Sequence, residues 1–420
     1  MSSSPLVMAT SQQAPAAAQL LSAAAVRERA HEVLQEGLAD RLAHFRLNPD
    51  RLMVTARFVA EVIRENYPSL KVPIHARWRH FCMCGRDLWA EMESRVAWRT
   101  SGDRARAAFD LTIISVLLDA GTGPDWTYRD EETGLTAARS EGLALATLRM
   151  FGAGLFSSDP HSPLRADGTR LASLSLADLA EGFQSHSGNA LAGLDGRLQL
   201  LLRLGDAVLQ NSKVFANAGA GHPGDLFDHL SGLASGKKLP ATAILGAVLT
   251  HLAPIWPGRI CLGGISLGDT WRHPVIKRSD LSDGLLPLHK LSQWLSYSLV
   301  EPLTHAGITV TDIDELTGLA EYRNGGLFLD LGVLELRDPG EAFHALPVDS
   351  ELIVEWRGLT VALLDLLAPR VRDELGLSAK AFPLGSMLEG GTWSAGRKIA
   401  RQKRSDGRPP LTVISDGTVF

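Results

Sequence analysis

The stretch LTGLAEYRNGG, residues 316–326, sets a carboxylate, a phenol and a guanidinium next to one another where an apolar helical pattern meets two glycines. Thr311 is a typical helix N-cap, and the apolar residues after it recur at helical spacing. The pattern predicts a helix that carries Glu321 in its last turn and stops at Gly325. The helix dipole disfavours a carboxylate at that end, so Glu321 is predicted either to pair with Arg323 or to have a functional role.

Helical periodicity continues along most of the chain. Apolar residues recur three and four positions apart in residues 23–46, 52–65, 105–120, 141–156, 191–209, 241–252, 288–303 and 352–368. Segments typical of strands are few, at 259–266 and 410–414. The 40 glycines and 21 prolines concentrate between the periodic segments, where they mark connections. The sequence therefore predicts a mostly α fold with a small β element.

The chain has 420 residues, which is more than a typical single domain. We predict a disordered tail over residues 1–20 and one large, mostly helical domain over residues 21–420. The segment 211–238 is rich in Gly, Ala, Asp and His. It is the candidate for an internal boundary or a long loop.

Composition limits the partners and the compartment. The formal net charge of -5 offers no basic surplus for nucleic acid or an anionic membrane, so neither is an expected partner. With three cysteines, Cys82, Cys84 and Cys261, there is no disulfide framework, and a reducing, cytoplasmic location is expected. Cys82 and Cys84 lack the second ligand pair of a structural zinc site, so no metal and no cofactor are predicted. The oligomeric state stays open.

A second string, PIHARWRHF at residues 73–81, concentrates recognition side chains. It contains His75, Arg77, Trp78, Arg79 and His80 in a loop expected to open a helix that runs to residue 89. Arginine forks suit phosphate or carboxylate, and tryptophan offers a flat stacking face. The string is either a ligand-binding loop or a solvated basic loop with a buried tryptophan.

Two further patterns give candidate site residues. Lys290 and Trp294 lie on a polar and aromatic stripe beside the apolar face of the predicted helix 288–303. That stripe is either part of the core or the wall of a site. Asp110 interrupts an apolar segment, so it either faces solvent or is buried with a partner, which would make it a site candidate.

Together these strings resemble the uracil catabolism protein four family. The likeness runs from about Leu21 to the C-terminus. It includes PIHARWRHF, FDLTIISVLLDAG, RSEGLALATL, GLFSSDPHSPLRADG, PIWPGRICLGGISLGDTWRHP, LHKLSQWLSYSLVEPL, LTGLAEYRNGGLFLDLGVL, VEWRGLTVALLD, LEGGTWSAGRKIA and SDGTVF. The resemblance implies a role in a route that opens uracil while it is attached to ribose and finally releases urea.

The string LTGLAEYRNGGLFLDLGVL is also similar to a segment of the queuosine-nucleotide N-glycosylases. That segment reads Leu-Thr-x-Phe-Ala-Asp-Tyr-Arg and continues Val-Pro-Gln. Tyr322 and Arg323 match it, Glu321 replaces the aspartate, and residues 324–326 depart from it. This likeness implies a helical core like that of DNA glycosylases and hydrolysis of an N-ribosyl bond.

The two resemblances imply roles for particular residues. Glu321 is the expected catalytic carboxylate, with Asp110 and Asp330 as second choices. The expected substrate is a phosphorylated ribosyl ureide. The expected substrate-binding residues are His75, Arg77, Trp78, Arg79, His80, Lys290, Trp294, Tyr322 and Arg323. Two alternatives remain: an amidohydrolase that cuts the ureide C–N bond, and a non-catalytic binding subunit of the pathway.

Overall fold

A computed structural model describes residues 13–123, 125–215, 221–256 and 259–414. Helices dominate these residues, so the predicted mostly α fold is confirmed. The α-helices are α1 (Gln13–Leu20), α2 (Ala23–Leu38), α3 (Arg51–Asn66), α4 (Leu88–Glu93), α5 (Ser101–Leu117), α6 (Arg139–Gly152), α7 (Gly168–Ala172), α8 (Leu176–Gly182), α9 (Leu194–Gln210), α10 (Leu226–Leu233), α11 (Ala241–His251), α12 (Lys290–His305), α13 (Tyr322–Asp330), α14 (Glu351–Leu375), α15 (Leu384–Ser386) and α16 (Trp393–Lys403). Short 3-10 helices lie at Arg77–Phe81, Pro223–Asp225, Ala253–Ile255, Ile313–Glu315 and Pro339–Phe343, and a π-helical turn lies at Met387–Thr392. The predicted likeness of the core to DNA glycosylases stays a prediction.

The strands of the described residues form two-stranded pairs and no larger sheet. They are β1 (Phe45–Leu47), β2 (Cys82–Met83), β3 (Arg86–Asp87), β4 (Thr127–Arg129), β5 (Thr136–Ala138), β6 (Lys238–Pro240), β7 (Cys261–Leu262), β8 (Ile265–Ser266), β9 (Thr270–Arg272), β10 (Leu285–Pro287), β11 (Thr309–Thr311), β12 (Leu334–Leu336), β13 (Ala345–Pro347) and β14 (Thr412–Ile414). The pairs β1–β12, β2–β3, β4–β5, β7–β8 and β9–β10 are antiparallel, and β6–β11 and β13–β14 are parallel. Such pairs are too small to form a core, so the helices must supply it.

The chain divides into two compact units. Unit 1 is Met1–His75, Gly258–Gln293 and Asp312–Ile414, and unit 2 is Ala76–Pro257, Trp294–Thr311 and Ser415–Phe420. The segment 211–238 lies inside unit 2 and is not a boundary in this division. The prediction of one domain over residues 21–420 stays a prediction.

The start of the chain differs from the predicted tail. Residues 1–12 lie outside the described residues, but Gln13–Leu20 forms α1. Ala17 and Leu20 are buried against Leu267 and Leu285 of unit 1. Burial of these apolar side chains stabilises a short helix that its own sequence would not hold.

The core of unit 1 is built around α14. This helix of 25 residues is apolar over much of its circumference and packs against α2 and α3. Unit 2 has its core around α5, whose residues from Ala107 to Leu117 are all buried, and α5 packs against α6. In unit 2, α7 and α9 approach closely at Gly205, where a Cβ atom would lie 2.5 Å from the nitrogen of Ala172. No helix in the described ranges is both long and apolar enough to cross a membrane.

Candidate functional site

Glu321 begins a helix instead of ending one. It is the N-cap of α13 (Tyr322–Asp330). Its Oε2 accepts a hydrogen bond from the backbone N–H of Arg323 at 2.7 Å, and its Oε1 accepts one from Asn324 at 2.6 Å. The helix predicted ahead of it is wrong, because only the 3-10 turn Ile313–Glu315 forms there. The carboxylate lies at the positive end of a helix dipole, which stabilises its charge.

Tertiary hydrogen bonds explain why residues 316–321 are not helical. The amide side chain of Gln293 accepts from the backbone N–H of Thr317 at 2.8 Å and donates to its hydroxyl. The guanidinium of Arg27 donates to the carbonyl of Leu316 at 2.7 Å. These partners take up backbone groups that a helix would use, and they fix the segment that leads into Glu321.

The glycine pair predicted to stop a helix lies inside α13. A Cβ atom on Gly325 would come within 2.6 Å of Cε2 of Trp356, and one on Gly326 within 2.9 Å of Cδ of Pro410. The glycines therefore allow α13 to pack closely against its neighbours in unit 1. The prediction of a helix stop at these residues is wrong, because close packing and not a left-handed turn requires glycine here.

Burial sets the electrostatics of Glu321. Glu321 is only 8% exposed to solvent. Desolvation raises the pKa of Glu321 above its ordinary value of 4.5, while the two backbone N–H donors and the charges of Lys290 and Arg323 oppose that rise. A carboxyl group with a raised pKa and a fixed orientation is suited to taking up and returning a proton during a reaction.

A buried ion pair supports the surroundings of Glu321 in unit 1. Arg357 donates to both carboxylate oxygens of Asp269, at 2.9 and 2.8 Å, and lies 3.4 Å from the carbonyl of Ala320. Asp269 also accepts from the backbone N–H of Lys290 at 2.9 Å. Desolvation alone would raise the pKa of Asp269, but the charge and hydrogen bonds of Arg357 hold it at about 2. The pair thus holds the backbone of Ala320, which precedes Glu321, and the backbone of Lys290.

Sequence reasoning missed the role of this pair. Asp269 lies in the polar and aromatic string DTWRH, residues 269–273, which suggests that its side chains make contacts but does not identify the partner. Arg357 is 88 residues away, in a part of α14 where most neighbouring residues are apolar. A charged residue inside such a helix is the signal that could have suggested a buried pair, because an isolated buried charge is too costly.

Other predicted residues of unit 1 have defined partners. The guanidinium of Arg323 donates to the carbonyl of Gly407 at 2.9 Å and lies 5.1 Å from the ring centroid of Tyr322. Nδ1 of His75 lies 2.6 Å from Oε2 of Glu389. Asp330 forms a two-point ion pair with Arg404, at 2.8 and 2.6 Å. This pairing occupies both carboxylate oxygens of Asp330.

In unit 2, Arg77, His80 and Trp294 form a cluster. The Cζ atom of Arg77 lies 5.0 Å from the ring centroid of Trp294, and its Nη1 lies 3.3 Å from Nδ1 of His80. Arg77 is fully buried and donates to the carbonyl of Ser115 at 2.8 Å, and it lies 3.3 Å from Asp119. Desolvation lowers its pKa, and Asp119 opposes that shift. Much of its hydrogen-bonding capacity is therefore used within unit 2.

The rest of the PIHARWRHF string folds differently from the prediction. A 3-10 helix at Arg77–Phe81 is followed by the β2–β3 hairpin, so the continuous helix to residue 89 is wrong. Cys84 has φ 52°, a turn conformation that a helix does not contain. Arg79 is paired with Glu301 of α12, and Nε1 of Trp78 donates to the carbonyl of Ser298 at 2.8 Å.

Asp110 of unit 2 is buried and paired, which was one of its two predicted states. It has no exposed surface. Its carboxylate accepts from Nε of Arg165 at 2.6 Å and from the backbone N–H groups of Ala166 at 3.1 Å and Gly224 at 2.5 Å. These contacts join α5 to the loop at residues 165–166 and to the 3-10 helix Pro223–Asp225, which is a structural use of the carboxylate.

The comparisons with known proteins give the family. A family model with the description "Protein of unknown function (DUF1688)" matches residues 19–420. The chain belongs to the DUF1688 family. Protein urg3 of Schizosaccharomyces pombe (strain 972 / ATCC 24843) is 38% identical over 413 residues, covering 96% of this chain and 98% of the relative. Uracil catabolism protein 4 of Lachancea kluyveri is 36% identical over 412 residues, covering 90% of this chain and 92% of the relative. The predicted resemblance to the uracil catabolism protein four family is confirmed, and the likeness to N-glycosylases stays a prediction.

Proposed function

We propose that this member of the DUF1688 family acts in uracil catabolism, as an enzyme that hydrolyses the N-ribosyl bond of a phosphorylated ribosylurea. The name of the Lachancea kluyveri relative, which covers nearly the whole chain, supports the pathway. The observation that carries the reaction is the buried carboxyl group of Glu321. It is held by two backbone N–H donors and has a raised pKa.

The proposed chemistry breaks the bond between C1 of the ribose and the ureide nitrogen. The nitrogen leaves with the bonding electrons, and positive charge develops on the sugar, where a carboxylate stabilises it. Glu321 takes a proton from the attacking water, whose oxygen bonds to C1. The leaving nitrogen takes a proton from solvent and Glu321 returns its proton to solvent, so the products are urea and ribose 5-phosphate.

We propose that cationic side chains near Glu321 bind the phosphate of the substrate. The charges of Lys290 and Arg323 both act on its pKa, which supports their proximity. Tyr322 and His75 of unit 1 remain proposed contacts to the substrate. In unit 2, the same role remains proposed for Arg77, Trp78, Arg79, His80 and Trp294. Asp110 and Asp330 remain second choices for the base, because each already holds an arginine.

The proposal is tested by replacing the carboxylate with an amide. Purified Glu321→Gln is compared with wild type on N-ribosylurea 5′-phosphate, with urea as the product measured. Loss of a preorganised charge should lower turnover on the order of a hundredfold or more. Binding of the substrate should largely persist, since it rests on other groups.

A matched control removes a carboxylate a few residues away. Glu315 lies in the preceding 3-10 turn and is exposed, so Glu315→Gln should keep wild-type turnover. A thermal melt of both variants checks folding. Full turnover in a folded Glu321→Gln protein would move the role to Asp110 or Asp330. Binding without release of urea or ammonia by wild type would favour a non-catalytic subunit.

A further inference from the structure

Side chains that prefer metal ions converge at one place in unit 1. His273 follows directly after β9, and Glu351 and Glu355 lie one turn apart at the start of α14. One ligand atom from each of the three lies within 4.8 Å of the others. Among the residues that the structure describes, this is the group with the side chains and spacing of a metal site. It is formed by parts of the chain about 80 residues apart, so no short sequence motif could reveal it.

Two of these side chains are buried and each has one polar atom without a hydrogen-bond partner in the described part of the chain. His273 is 1% exposed and Glu355 is fully buried. Nε2 of His273 and Oε2 of Glu355 form no hydrogen bond with any described residue. A buried polar atom without a partner is energetically costly, so such atoms usually mark the position of a ligand, ion or water.

The other oxygen of Glu355 shows how its side chain is oriented. Oε1 accepts hydrogen bonds from the backbone N–H groups of His44 at 3.1 Å and Phe45 at 3.0 Å. These two bonds hold the carboxylate so that Oε2 faces Nε2 of His273 at 3.5 Å. The carboxylate is therefore preorganised and does not need to move to reach a cation.

We propose that His273, Glu351 and Glu355 bind a divalent transition-metal ion, with Zn²⁺ as the best fit. Zinc bonds of about 2.0–2.1 Å in a tetrahedron separate neighbouring ligand atoms by roughly 3.3–3.4 Å. The observed 3.5 Å between Nε2 of His273 and Oε2 of Glu355 is close to that spacing. One imidazole and two carboxylates favour zinc, manganese or iron over magnesium and calcium, which prefer oxygen ligands alone.

A simple ion pair explains the cluster less well. A charge-assisted bond between a protonated His273 and Glu355 would be about 2.7–2.9 Å long, and the contact is 3.5 Å. Zinc bound to Nε2 of His273 requires the ring proton to be on Nδ1. Nδ1 then no longer accepts the weak hydrogen bond from the backbone N–H of Val275, which is 3.4 Å long. Glu351 completes the set from the exposed side, and Nε2 of His44 lies 3.9 Å from its Oε1.

The cation would join three parts of unit 1. His273 lies in the connection between β9 and β10, Glu351 and Glu355 begin α14, and Glu355 holds the start of β1 through its bonds to residues 44 and 45. These parts are far apart in sequence, so a metal that connects them stabilises the fold. The site is thus structural, and its loss should appear first in binding and thermal stability.

The test uses the full-length chain, freed of any affinity tag and dialysed against a chelator. Titration with ZnCl₂ by calorimetry should show one strong site per chain, and the bound ion should raise the melting temperature. Co²⁺ in place of zinc should give the intense visible bands of a site with few ligands.

Three variants decide the ligands. His273→Ala and Glu355→Gln should lose the strong site, and Glu351→Gln should weaken it at least tenfold. Glu351 is exposed, so this last variant should fold normally even if the buried variants do not. His161→Ala, which removes an exposed histidine of unit 2, should bind zinc as wild type does. Unchanged zinc affinity in Glu351→Gln, or no strong binding of Zn²⁺, Mn²⁺, Fe²⁺ or Co²⁺ by wild type, would overturn the proposal.

Discussion

Removing the carboxylate charge of Asp269 should sharply destabilise unit 1. Asp269→Asn keeps the shape of the side chain but leaves the buried guanidinium of Arg357 without its counterion. The pKa of Asp269 falls from 3.8 to about 2 in the folded protein. At about 1.36 kcal/mol per pKa unit, that shift corresponds to about 2.5 kcal/mol of stabilisation. Burial of the Arg357 guanidinium opposite a neutral side chain adds a further cost, so a total loss of about 3–5 kcal/mol is expected.

The same pair predicts a pH dependence with a defined sign. The pKa of Asp269 is depressed on folding, so its stabilisation is present above the unfolded value of 3.8. It is lost as pH falls from about 4 to about 2, because protons then bind the unfolded chain first. In urea unfolding, wild type should therefore lose more stability over this pH range than Asp269→Asn loses.

A double variant separates the loss of the Asp269–Arg357 attraction from the cost of keeping the Arg357 charge buried. Asp269→Asn combined with Arg357→Met removes the buried cation as well, so it should be more stable than Asp269→Asn alone. Unfolding free energies at pH 7 provide the measurement. A loss below about 1 kcal/mol in Asp269→Asn, or an unchanged acid dependence, would refute the role of the pair.

Four further results are expected. The kcat/KM of wild type should fall with decreasing pH through an apparent pKa above 4.5, because Glu321 acts in its ionised form and its pKa is raised. The residual activity of Glu321→Gln should not show this acidic decrease. Gly325→Ala should lower the free energy of unfolding by about 1–3 kcal/mol, because its methyl group would lie 2.6 Å from Trp356. Gly232→Ala is the control, since a Cβ atom there has no neighbour within 4 Å. Chemical denaturation of both variants measures the difference. Arg79→Ala should raise KM more for the phosphorylated substrate than for its dephosphorylated form, and equal effects on both would remove its proposed role. Urea release near 25 °C should survive chelation, because the chemistry proposed for Glu321 uses no metal. Loss of activity that zinc restores, in chelated protein that is still folded, would contradict that mechanism.

The sequence predicted the helices well where one face is apolar over several turns. The segment 52–65 is α3 (Arg51–Asn66), and the segment 241–252 is α11 (Ala241–His251), to within one or two residues. The predicted helix 23–46 instead ends at Leu38, because Phe45 pairs with Leu336 in the β1–β12 ladder. A strand partner nearly 300 residues away leaves no trace in local periodicity.

The candidate site shows the same limit. Local pattern and resemblance predict Glu321 as a site residue but place it at the wrong end of a helix, because hydrogen bonds from Gln293 and Arg27 fix the backbone before it. The pair of Asp269 and Arg357 and the cluster around His273 depend on long-range contacts of the same kind. Residue types can be read from a sequence, whereas the partner that gives each one its charge state depends on the fold.

The nitrogen product released by the wild-type protein tests the central claim most directly. Purified full-length chain is incubated with N-ribosylurea 5′-phosphate, and urea, ammonia and ribose 5-phosphate are quantified together. Cleavage of the N-ribosyl bond predicts urea and ribose 5-phosphate in equal amounts, with no ammonia. Release of ammonia in place of urea would mean that the ureide C–N bond is cut, and it would contradict the account.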